Sequence, residues 1–126
     1  MNTATLARSA YATARAPIRT DRSTEYDVFA RITRNMKEAS DRGKPGFPAL
    51  VSALHENRKL WTILATDVAG QHNELPRQLR AQIFYLAKFT EAHSRKVMAG
   101  QSDISPLLEI NTSIMRGLRA TSGVPA

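Results

Sequence analysis

The stretch Phe47–Gly70, FPALVSALHENRKLWTILATDVAG, constrains this chain more than any other. Leu50, Leu54, Trp61, Leu64 and Val68 recur at helical spacing, which puts them on one stripe of an α-helix. Val51, Leu60 and Ile63 flank that stripe, so more than one side is apolar. A helix of this kind either sits at the centre of a bundle or offers its spare side to a partner. Pro48 suits the first turn, where its missing N–H costs nothing, and Gly70 suits the left-handed position just past the end.

The rest of the chain reads as helices around this one. Residues 1–20 place Leu6, Ala10, Tyr11 and Ala14 on one face of an Ala-rich helix ended by Pro17. The same residues, with Arg8, Arg15 and Arg19 and no acid, also have the composition of a mitochondrial transit peptide. Thr20–Asp41 gives a second helix through Tyr26, Phe29, Ile32, Met36 and Ala39, with Thr24 and Asp27 as a weak capping box. Arg42-Gly43-Lys44-Pro45-Gly46 then breaks the chain. Beyond a polar connection at Gln71–Leu75, Pro76 opens a helix that stops at Gly100. Its stripe is Leu79, Ile83, Leu86, Phe89 or Thr90, His93 and Val97, with Tyr85 beside it. Ser105 as N-cap and Pro106 in the first turn start the last helix, lined by Leu107, Ile110, Ile114 and Leu118 and widened by Leu108 and Met115. Strand alternation is absent. The expectation is an all-α fold, an antiparallel bundle of about five helices forming one domain over residues 1–126, frayed at 1–4 and 120–126.

A chain of 126 residues is long enough to bury one core. It has no cysteine, hence no disulfide or thiolate chemistry, and no apolar run approaches the roughly 18 residues of a transmembrane helix. The net charge of +7, from 18 basic and 11 acidic residues, suits nucleic acid, acidic lipid or an acidic protein. The basic residues are spread along the chain, however, as on an ordinary solvated surface.

Motifs for catalysis fail one by one. His55-Glu56 begins like a zinc-protease motif, but Lys59 stands where the second histidine belongs. His55, His72 and His93 lie in separate segments, and His93 borders an apolar stripe as a structural histidine does. There is no Gly-rich phosphate loop, nucleophile elbow or facing carboxylate pair. The expectation is a non-catalytic binding protein without metal or cofactor. Trp61 reads either as core with a partner for its indole N–H, or as an interaction hot spot. Asn57 and Asn111 interrupt apolar stripes, as buried residues that fix helix register or as contacts to a partner's backbone.

Leu54-His55-Glu56-Asn57-Arg58-Lys59-Leu60-Trp61 resembles the Asn-x-x-Leu-Trp core of the flagellar biosynthesis regulator FlaF family of α-proteobacteria. The opening with Tyr11 and Thr24-Glu25-Tyr26-Asp27-Val28-Phe29, and the closing block Leu108–Leu118, are similar to the same family, so the resemblance runs from about residue 5 to 119. It implies a small cytoplasmic helical protein of flagellum assembly that binds flagellin and promotes its production or export, opposite the translational repressor FlbT. It also implies that residues 1–20 are helix. Flagellin's terminal segments are amphipathic helices, which a bundle with a spare apolar groove can cover. Two alternatives are a regulator acting through RNA, whose binding would fall steeply with salt, and a complex with FlbT. The chain itself is either a monomer or a homodimer. The candidate partner contacts are the polar and aromatic residues that interrupt or border the stripes: Tyr26, Asn57, Leu60, Trp61, Asn111 and Arg116.

Overall fold

The computed structural model describes residues 21–70 and 75–122, with side chains over 25–70 and 75–117. These residues form four α-helices and one short 3-10 turn, with no strand among them. The helices are α1 (Asp21–Asp41), α2 (Phe47–Val68), α3 (Arg77–Met98) and α4 (Ser105–Ser122). The fifth helix expected from the sequence falls on residues 1–20, outside the described residues.

Going round the bundle, α1 packs against α2 and α4, α2 packs against α3, and α3 touches α4 only lightly. Short connections force neighbours to run antiparallel. Phe29 meets Trp61 while Arg31, further along α1, meets Glu56, which is earlier on α2. Phe29, Ile32, Met36 and Ala39 from α1 share the core with Leu54, Trp61, Leu64 and Val68 from α2 and with Leu107 from α4. The α1 and α2 stripes read from the sequence are therefore the interior, with Tyr26 half-buried at its edge.

Several helix ends differ from the expectation. Asp21 is already helical, so Thr24 lies inside α1 and not at its cap. Gly70 has no positive φ; α2 closes instead through Ala69 in right-handed geometry, with the Gly70 N–H donating to the Asp67 carbonyl at 3.0 Å. By contrast Gly100 adopts φ 74 and ends α3 as expected. Its N–H donates to the Val97 carbonyl and that of Gln101 to Lys96, which occupies the carbonyls the helix leaves open. At α4 the capping carboxylate is that of Asp103, whose Oδ1 accepts the Ser105 N–H at 2.9 Å. Ser105 is thus the first helical residue, not the N-cap. Residues 120–122, expected to fray, continue α4.

The α1–α2 corner is shaped by two glycines. Gly43 takes φ 66, a left-handed backbone that other residues adopt only with strain. Gly46 is buried against α1, where a Cβ would run into the Ala39 carbonyl oxygen.

Candidate partner-binding site

Of the six residues expected to touch a partner, four are inside the molecule. Asn57, Trp61 and Asn111 are fully buried, and Leu60 nearly so. Helix periodicity brings Asn57 and Trp61, four apart on α2, to one face, and Asn111 reaches them from α4 across the centre of the bundle. The Trp61 indole N–H donates to Asn111 Oδ1 at 2.9 Å. The Asn111 amide nitrogen donates to Asn57 Oδ1 at 2.8 Å and to Thr33 Oγ1 of α1 at 3.0 Å. Phe29 packs edge-on against the Trp61 ring, with centroids 5.7 Å apart. One asparagine therefore joins α1, α2 and α4, and the burial that satisfies it keeps all three residues from a partner unless the bundle opens. Sequence reasoning found three members of this network and missed Thr33, which gives no signal as a small polar residue beside a stripe.

Tyr26, half-buried on α1, and Arg116, exposed on α4, are the two remaining candidates. Leu60 forms the floor of a shallow groove between α1 and α2 with Val28, Ile32 and Ile63. The Arg31–Glu56 ion pair, at 3.1 Å, lies along that groove with Lys59 beside it.

The surface with least internal commitment is on α3. Ile83 and Val97 are its buried apolar residues, and the rest of its buried face is Thr90, His93 and Ser94. The Thr90 and Ser94 hydroxyls are buried without a hydrogen-bond partner. Leu86, Ala87 and Met98 add half-buried apolar contact, and polar contacts fasten the helix further. His93 Nε2 lies 2.7 Å from the Asp103 carbonyl, and its ring stacks on Phe89. His93 is thus structural, as the sequence suggested, and no group of residues suited to a metal ion occurs among the described residues. Arg58 of α2 grips Glu91 with both ends of its guanidinium, Nε to Oε2 at 2.9 Å and Nη2 to Oε1 at 2.6 Å. Arg95 donates to the same Oε1 at 2.9 Å. The bond to Arg58 holds the Glu91 carboxyl below its ordinary range, against a smaller opposing effect of burial.

Leu79 (37% exposed), Phe84 (38%) and Tyr85 (68%) of α3 stand in solvent, spread around the helix and not along one face. Leu79 was expected in the core stripe. Among the described residues, α4 meets α3 only lightly and does not bury Leu79. Around these side chains α3 carries Arg77, Arg80, Lys88, Arg95 and Lys96 against Glu91 as its acid. A groove of about 580 Å³ runs between α2 and the Phe84 side of α3, and Phe84, Lys88, Glu91 and Arg95 help to line it.

The family model for flagellar protein FlaF matches residues 7–118. The chain belongs to the FlaF family. That match covers the Asn57–Trp61 segment, the α3 surface and Asn111 alike, so the central network and the exposed face both lie within the FlaF region. No curated protein and no solved structure matches this FlaF chain. Among the described residues, no helix is long and apolar enough to cross a membrane.

Proposed function

We propose that this FlaF protein binds flagellin in the cytoplasm and promotes its production or export, without catalysing a reaction. The supporting observation is Phe84, a large apolar residue left exposed beside a groove between α2 and α3, in a helical bundle of a flagellar-protein family. An amphipathic flagellin terminus carries a stripe that aggregates until it is paired, and a bundle with a spare apolar face can cover it. Size-exclusion chromatography with light scattering tests this on purified proteins at micromolar concentration. A 1:1 complex is expected, and separate elution of the two proteins would refute direct binding.

A second reading has one observation in its favour. Tyr85 stands in solvent on a helix rich in arginine and lysine, as do aromatic residues that stack on single-stranded RNA. It requires binding to flagellin message that weakens steeply as salt rises. An absence of binding at low salt would discard it.

A further inference from the structure

Resting on the reading that this protein binds a partner's amphipathic helix, we infer that the groove between the C-terminal half of α2 and α3 is the docking site, and that its occupant is a helix with acidic flanks. The floor is built from Ala65, Ala87 and Ala92 with Thr62 and Thr66. Small side chains let another helix approach closely, and ridge-into-groove packing brings helix axes to about 8–10 Å. Phe84 stands partly exposed in the lining, a large apolar residue suited to anchor an apolar stripe.

Charge selects the occupant. Both oxygens of Glu91 are already taken by Arg58 and Arg95, so the acid in the groove is neutralised from within. Two guanidinium groups share that one carboxylate, and Lys88 adds a further cation to the lining. The groove is therefore positive overall and complementary to Asp or Glu beside the incoming apolar stripe. The groove between α1 and α2 has the same balance, Arg31 and Lys59 against Glu56, but its apolar lining of Val28, Ile32, Leu60 and Ile63 holds no aromatic anchor. An RNA strand fits less well, because the groove offers its bases a single aromatic face, Phe84, beside a floor of alanine and threonine.

The test uses the full chain, with F84A and K88E as groove variants and R34A on the outer side of α1 as control. Circular dichroism of each variant checks the fold. With flagellin, F84A and K88E should bind about tenfold or more weakly while R34A binds as the parent protein does. If the parent binds flagellin and the groove variants bind equally well, the groove is wrong and flagellin binding stands. If the parent does not bind flagellin, that reading falls and the groove is judged by a synthetic acidic amphipathic peptide. Amide shifts at Ala65, Ala87 and Ala92 that K88E abolishes would then support the site. No shift, equal binding of a lysine-flanked peptide, or shifts caused only by a single-stranded RNA oligonucleotide would overturn it.

Discussion

Asn111 ties three helices together through one side chain. Its amide serves Trp61, Asn57 and Thr33 together, so truncation orphans a buried indole N–H and a buried carbonyl oxygen at once. Asn111→Ala should therefore destabilise the protein by about 2–4 kcal/mol in chemical denaturation. Asn57→Ala should cost less, about 1–2 kcal/mol, because Asn57 gives the network one acceptor while its own amide nitrogen is buried without a partner. Equal losses would mean that volume, not hydrogen bonding, governs the site. The sequence marked Asn57 and Asn111 as interruptions of apolar stripes. It did not decide between register and recognition, because periodicity reports the face a residue occupies but not what covers that face.

Among the elements, α1 and α2 were legible and α3 was only partly so. The strong stripes Phe29–Ala39 and Leu50–Val68 became core because each faces another apolar helix. On α3 the helical period placed Leu79 inside, yet burial needs a facing partner, and among the described residues α4 meets α3 only lightly. Segments with few buried apolar contacts open first. Hydrogen exchange should thus be faster at the amides of the first half of α3 than at those of Leu54–Leu64 in α2. The clamp between α2 and α3 should also show in pH dependence. Because Glu91 titrates below its ordinary value near 4.5 when folded, its stabilisation is full above that pH and is lost as pH falls through the lowered range. Arg58→Ala should cost about 0.5–1 kcal/mol at neutral pH, since the pair is partly exposed, and the difference from the parent should shrink in acid. Glycine positions give opposite signs. Gly117→Ala, with open space for its Cβ on α4, should stabilise by about 0.5–1 kcal/mol in thermal unfolding, whereas Gly46→Ala should destabilise by pushing α1 from α2.

At the scale of the whole molecule, a polar latch ties the centre of the bundle together and α3 lies outside it. The latch joins α1, α2 and α4, while α3 is held by a salt bridge and a histidine and shows aromatic residues to solvent. The absence of strands among the described residues and the order of the helices were readable from the chain; the exposed α3 residues were not, because their exposure results from how closely two helices approach. In flagellin recognition, such a surface would be completed by the partner. Hydrogen exchange of the full chain with and without flagellin tests this most directly. We expect protection to rise over Trp61–Val68 of α2 and along α3 when flagellin is added. Unchanged exchange on α3, or new protection confined to α1 and α4, would contradict it.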